Sequence, residues 1–196
     1  LDYNKIIVKD VYYKYGDNNI YNGLNMVLDF TKHHTYGIYG KSGKGKSTLC
    51  KLLIGLFKPT GGKILLDGID YSNISTDQLQ RDITYITQDN KLFDRNIEDN
   101  IKWGCSNTEC DNYLSKIVES KNIQDVFGDK LESIYKKNNG FLGENISGGQ
   151  RQIINVINGL IVPSKILILD EPTNNLDGVT KSRLIRLLSS FKSYKK

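Results

Sequence analysis

Residues 40 to 48 read Gly40-Lys41-Ser42-Gly43-Lys44-Gly45-Lys46-Ser47-Thr48, and their reading decides the fold. Gly40, Gly45, Lys46 and Ser47 satisfy G-x-x-x-x-G-K-[ST], the spacing of a phosphate-cradling loop. Such a loop sits between a strand and a helix. Residues 35–39 (Thr-Tyr-Gly-Ile-Tyr) predict a short strand, and residues 47–57 a helix with Leu49, Leu52, Leu53 and Leu56 on one face. A triphosphate needs many donors close to the backbone. Glycines let the loop turn its N–H groups inward with no Cβ in the way, and the helix N-terminus adds partial positive charge. In this pattern Lys46 reaches the β- and γ-phosphates and the Ser47 hydroxyl ligates Mg2+. The plain alternative, a glycine-rich turn with solvated lysines, does not account for the flanking elements.

Composition narrows the classes around that loop. The 196 residues suffice for one domain, and 38% hydrophobic with 25% charged residues is a globular balance. No run of 18 apolar residues occurs, so nothing in the chain spans a membrane as a helix. The start carries no signal-peptide pattern. The first residue is Leu1, so the natural start is expected upstream. Net charge is +5, from 27 basic and 22 acidic residues. The lysines are spread along the chain apart from short clusters at 41–51 and 192–196, which argues for solvated surface plus a phosphate site and against nucleic acid as a partner. Cys50, Cys105 and Cys110 are odd in number and form no C-x-x-C, so a reducing compartment is expected rather than a disulfide framework.

Upstream of the loop, residues 5–15 are rich in β-branched and aromatic residues and predict one or two strands, with a turn at 16–19 and a partner strand over 24–30. Residues 62–66 predict another strand, closed by the Asp67-Gly68 turn. Together they suggest a small, mostly antiparallel sheet beside the phosphate loop. Tyr12, Tyr13 and Tyr15 lie on it; any of them could stack on a purine or merely pack the strands, and spacing alone does not choose among them.

Downstream, residues 75–81 predict a short helix with Ser75 as N-cap, and residues 83–87 a strand with Gln88 after its end. Residues 96–142 lose β-branched alternation; candidate helices run near 96–102, 108–121 and 122–134, a helical lobe inserted into an α/β core. Ser147-Gly148-Gly149-Gln150 then opens a helix expected over 150–161, a second helix N-terminus able to bind anions or an ordinary helix-start turn. Residues 165–171 form an apolar run ending in Asp170 and Glu171, as suits a parallel strand buried on both faces. There Asp170 is placed to hold Mg2+ through water, and Glu171 to orient or deprotonate an attacking water. After the 172–175 turn and Leu176-Asp177, a last helix is expected near 178–192.

In this order the pieces resemble the ATP-binding cassette (ABC) ATPases over nearly the whole chain. Gly40 to Thr48 is similar to the Walker A motif, Gln88-Asp89 to the Q-loop and Ile146 to Gln150 to the LSGGQ signature with Ile for Leu. Ile166 to Glu171 resembles Walker B with the catalytic glutamate, and Asn174-Asn175-Leu176-Asp177 the D-loop. The signature is the specific element, since other P-loop families lack it. The resemblance implies a single α/β nucleotide-binding domain over 1–196. Its RecA-like P-loop core with an antiparallel β subdomain covers 1–87 and 151–196, and a helical subdomain covers 88–150. It selects Tyr15 as the adenine-stacking ring. It makes Lys46, Gln88 and Glu171 catalytic, and Ser47, Gln88 and Asp170 the Mg2+ set. Residues 40–48, Ser147 to Gln150 and Asp177 would contact ATP, the signature doing so in trans from a second cassette paired head to tail as a homo- or heterodimer. Residues 83–101 are similar to exporter ATPase domains, Gly143-Glu144 is a shortened form of the exporter segment before the signature, and Glu171-Pro172-Thr173 is more typical of importers and soluble members. The implied setting is the cytoplasmic face of a membrane, powering transport through a transmembrane domain fused upstream or separate. The alternative is a soluble ABC ATPase acting on ribosomes or nucleic acid.

Two departures stand out. The family's switch histidine follows the glutamate on a later loop, whereas the histidines here are His33 and His34. A chain cut short is therefore expected, with impaired hydrolysis and an incomplete sheet. Lys44 stands where the family mostly has a small residue, adding charge near phosphate or facing solvent.

Overall fold

A computed structural model describes residues 3–87, 91–105, 108–118, 146–174 and 176–190. They fall into two compact units. The first holds 3–85 and 164–168, the second the rest of the described residues.

The first unit is built on a sheet of β1 (Lys5–Tyr15), β2 (Asn18–Asp29), β3 (Gly61–Leu66) and β4 (Ile69–Asp70) in the order β2-β1-β3-β4, every neighbour antiparallel. The expected β1–β2 hairpin and the Asp67-Gly68 turn are both present, the latter with both residues at positive φ, the geometry of a tight hairpin. A bulge interrupts β1 at Asp10, φ +47. The Asn25 amide accepts from the Asp10 N–H at 3.0 Å and donates to its carboxylate at 2.8 Å. Across the sheet Gly62 is required, since a Cβ there would lie 2.0 Å from the Asp10 carbonyl oxygen. The extra residue reverses which face alternate side chains take. Ile6 and Val8 face the core before the bulge, Val11 after it. Tyr13 therefore packs inward, and Tyr12 is left 45% exposed over Gly61.

Helix α1 (Lys46–Leu53) lays Leu49, Leu52 and Leu53 into this core, each worth about 1.5–3 kcal/mol of burial. It is shorter than expected. Gly55, at φ +72, ends it, and Leu56 is exposed. Residues 35–39 are not a strand. Ile38 and Tyr39 are exposed, and among the described residues no strand pairs with the segment, so its backbone has no ladder to join.

Helix α2 (Thr76–Asp82) begins as expected, Ser75 accepting from the Gln78 N–H. It leads into β5 (Ile83–Ile86), which pairs with β6 (Ile166–Leu169) in a second sheet. Lys165 N–H bonds to the Asp82 carbonyl and Asp170 N–H to that of Ile86, so the two strands run parallel. Of β6 only Ile166 is fully buried; the rest is half-buried, because β5 is its one neighbour among the described residues. The buried Asp82 carboxylate accepts from Tyr3 and Gln78 and pairs with Lys165 at 3.3 Å, while Lys165 sits 4.4 Å over the Tyr3 ring. Burial pushes the Asp82 carboxyl up, but the bonds from Tyr3, Gln78 and Lys165 outweigh it and hold it below the usual range.

The second unit is helical: α3 (Ile97–Ile101), α4 (Thr108–Val118), α5 (Gly148–Ile161) and α6 (Gly178–Ser190). Ile153, Ile154, Val156 and Ile157 of α5 are wholly buried. Asn158 of α5 donates to the carbonyls of Ile101 and Trp103 at 2.7 and 2.8 Å, closing the open end of α3. Lys102 bridges Glu98 at 2.9 Å and Asp111 at 3.0 Å, tying α3 to α4. Phe93 and Trp103 stack at 4.4 Å with Arg95 over the indole. The cysteines differ from expectation. Cys105 and Cys110 form a disulfide, with Cα atoms 6.1 Å apart; Cys50 is a buried thiol. The candidate helix at 122–134 lies outside the described residues.

Candidate functional site: a phosphate loop and a carboxylate turn

The phosphate loop belongs to the first unit. It turns through the left-handed region at Gly43 (φ +76) and Gly45 (φ +89), the N-cap of α1. Glycine is needed at 45 twice over. A side chain would be strained at that φ, and its Cβ would lie 2.7 Å from Ile20 and 3.0 Å from the Tyr21 hydroxyl. Gly45 brings no side-chain cap, and the first turn of α1 carries no acidic residue. The first N–H groups of a helix have no carbonyl of their own helix to bond. The N-terminus of α1 is thus built as an anion seat. Lys46 curls back across the loop, its Nζ 3.0 Å from the Gly40 carbonyl and 3.3 Å from that of Lys41. Ser47 is half-buried beside it, and Thr48 is buried. Lys41, Ser42, Gly43 and Lys44 are exposed, so Lys44 lies at the solvent-facing rim of the loop.

Two supports were not legible in the sequence. Tyr21 donates to the Gly45 carbonyl at 2.7 Å, and burial pushes its hydroxyl up to about 12, so it stays a donor. Tyr15 approaches Thr48, hydroxyl to hydroxyl, at 3.4 Å and is 44% exposed. Of the three candidate tyrosines, only Tyr15 combines an exposed ring with a contact to α1 that the structure records; Tyr12 lies over Gly61 and Tyr13 packs inward.

The second unit carries the carboxylate turn. Asp170 is buried directly after β6. Glu171 stands at φ +50, a region that a residue with a side chain seldom adopts and that collects at functional turns. The turn is closed twice, by Asn174 N–H to the Glu171 carbonyl at 3.0 Å and by the Asn174 amide to Glu171 Oε2 at 3.2 Å. The second bond fixes where the carboxylate points. Asp177 caps α6, its carboxylate accepting from the N–H groups of Val179 and Thr180 and from the Thr180 hydroxyl at 2.6 Å. The Thr180 hydroxyl, then the backbone N–H groups, hold Asp177 below the usual carboxylate range.

Helix α5 starts two residues earlier than expected, at Gly148. Ser147 Oγ accepts from the Gln150 N–H at 3.2 Å and the Gln150 side chain accepts from the Ser147 N–H at 3.1 Å, a capping box. Gly149 packs close to Leu176 and Thr180: a Cβ there would come within 3.4–3.5 Å of both. Gln88, Asp89, Gly143, Glu144 and Asn175 lie outside the described residues.

The family model described as ABC transporter matches residues 24–174. A probable ABC transporter ATP-binding/permease protein of Haemophilus influenzae is 33% identical over 196 residues, 99% of this chain and 34% of its own length. A lactococcin-A transport/processing ATP-binding protein of Lactococcus lactis is 34% identical over 190 residues, 96% of this chain and 26% of its own length. The structure of a bacterial Atm1-family ABC exporter with ATP bound superposes on all of this chain with a TM-score of 0.84 at 26% identity, over 34% of that protein. The chain thus spans about a third or less of the relatives it matches.

Proposed function

We propose that this chain, which belongs to the ABC transporter family, is the ATP-binding and hydrolysing domain of a membrane transporter. The observation that carries the reading is the phosphate loop: two left-handed glycines, an α1 N-terminus without a side-chain cap, and Lys46 folded over the loop carbonyls. The names of its relatives, which are transport and ATP-binding/permease proteins, favour transport over action on ribosomes or nucleic acid.

In this reading residues 1–196 are one nucleotide-binding domain with a helical subdomain over 88–150, lying at the cytoplasmic face of a membrane against a transmembrane domain. Bound Mg2+-ATP supplies the scissile phosphoryl group and its leaving group. The α1 N–H groups and Lys46 hold the phosphates, which is most of the work in phosphoryl transfer. Ser47 and Asp170 hold the metal, with Gln88 as the third member of that set. Glu171 takes the proton of the attacking water, and Asn174 keeps its carboxylate in one orientation. Tyr15 supports the base. Ser147, Gly148, Gly149 and Gln150 complete the site of a second cassette in trans, alongside Asp177.

The test is Glu171→Gln in the full-length protein. Turnover should fall by about 10²-fold or more, the scale of general-base loss, while ATP affinity is retained. Unchanged turnover would remove Glu171 from this role.

A further inference from the structure

Phe57 plays no part in the phosphate loop, yet it sits where the base-supporting ring is held. Its ring stacks on Tyr13, centroids 5.4 Å apart and planes 11° from parallel. Tyr15 stands perpendicular to both, 5.2 Å from Tyr13 and 5.8 Å from Phe57, at 87° and 82°. Tyr13 and Phe57 are half-buried and pack against the core, while Tyr15 is the exposed outer member. A ring held at right angles to two others has little freedom to turn while nearly half of it stays exposed for stacking, and each such aromatic pair contributes beyond its buried area.

The cluster is also fastened to α1. The Phe57 N–H bonds to the Lys51 carbonyl at 3.0 Å just past the end of that helix, and the Lys51 ammonium lies 5.4 Å from the centre of the Phe57 ring. At the other end of α1 the Tyr15 hydroxyl meets Thr48, next to Ser47. One short helix thus carries the phosphate seat at its start and the aromatic wall at its end, with Tyr15 spanning the two.

We infer that Phe57, with Tyr13, is a positioning residue for nucleotide-base recognition: it fixes the Tyr15 ring at a set distance from the phosphate seat and touches no nucleotide itself. The inference rests on the reading of Tyr15 above. It requires that Phe57 affect ligands that carry a base and leave a bare polyphosphate alone, whereas a purely structural role at the end of α1 would weaken both.

The experiment measures equilibrium binding of ATP and of inorganic tripolyphosphate to the full-length protein and its variants. Phe57→Ala should raise the ATP Kd about threefold to tenfold and leave the tripolyphosphate Kd within about twofold. Phe57→Tyr should restore the ATP value. Tyr15→Ala should raise the ATP Kd by about tenfold or more, and Phe57→Ala added to it should have little further effect, because both act through one ring. If Phe57→Ala disturbs folding, Phe57→Leu keeps the volume and removes the stacking edge. Equal loss for ATP and tripolyphosphate would overturn the inference, as would an unchanged ATP Kd in Phe57→Leu beside a weakened Tyr15→Ala. An unchanged ATP Kd in Tyr15→Ala would overturn the reading of Tyr15 itself, and the inference with it.

Discussion

The N-termini of α1 and α5 meet the same physical problem in opposite ways. α1 begins after glycine-rich sequence and α5 begins with two glycines, and both leave N–H groups with no carbonyl of their own helix to bond. At α1 the N-cap is a left-handed glycine with no side chain, and Lys46 curls over the loop. At α5 Ser147 and Gln150 satisfy each other's N–H groups in a capping box. The first terminus is left without a side-chain cap by a left-handed backbone that glycine adopts without strain. The second is closed by its own side chains and has the stability of an ordinary helix start. At α5 the Ser147 oxygen accepts from the Gln150 N–H, which leaves the O–H of that hydroxyl able to donate.

The largest expected effect breaks that comparison at its glycines. Gly45→Ala forces a Cβ to within 2.7 Å of Ile20 at φ +89; it should cost about 2–4 kcal/mol in urea unfolding and abolish tight ATP binding. Gly148→Ala meets only the end of Arg151 at 3.7 Å, and should stay within about 0.5 kcal/mol of the parent. Equal costs would mean that the two termini are not built differently. A smaller effect sharpens the closed side: Ser147→Ala should lose about 1 kcal/mol by removing the cap, and Ser147→Gly only a few tenths. A turnover loss in Ser147→Gly far beyond its stability loss would place the hydroxyl in nucleotide contact as well.

The smallest effect concerns α6, capped by a carboxylate. Asp177 titrates below its unfolded value of about 3.9, so its contribution is fully present above that pH and is lost as pH falls through the folded value. The unfolding midpoints of the parent and Asp177→Ala should differ at pH 7 and converge on the acid side. A gap that persists in acid would mean that packing of the side chain, not its charge, caps α6.

How much of this was legible follows from what each residue depends on. The left-handed glycines before α1, the Ser75 cap and the Asp67-Gly68 turn are local, each set by a few adjacent residues, and the Ser75 cap and the Asp67-Gly68 turn stand as read. Spacing alone did not choose among the tyrosines, because the bulge at Asp10 reverses the facing of everything after it, and the bulge depends on Asn25 and Gly62 on neighbouring strands. Residues 35–39 carry strand-like sequence but lack a partner strand among the described residues, and a strand is a property of pairs. The Cys105–Cys110 bridge, the Asn158 clasp on α3 and the Asn174 hold on Glu171 likewise depend on chain geometry that residue spacing does not reveal.

The Phe93–Trp103–Arg95 stack has an optical consequence. Trp103 is the one tryptophan in a chain with twelve tyrosines, and most of those tyrosines belong to the first unit. Light at the red edge of protein absorption excites that indole alone, and its emission responds to the guanidinium above it and to the disulfide two residues along. The molecule thus carries a built-in reporter on its helical unit: a spectroscopist can follow α3 without attaching a dye, while tyrosine emission reports chiefly on the sheet that holds the phosphate loop.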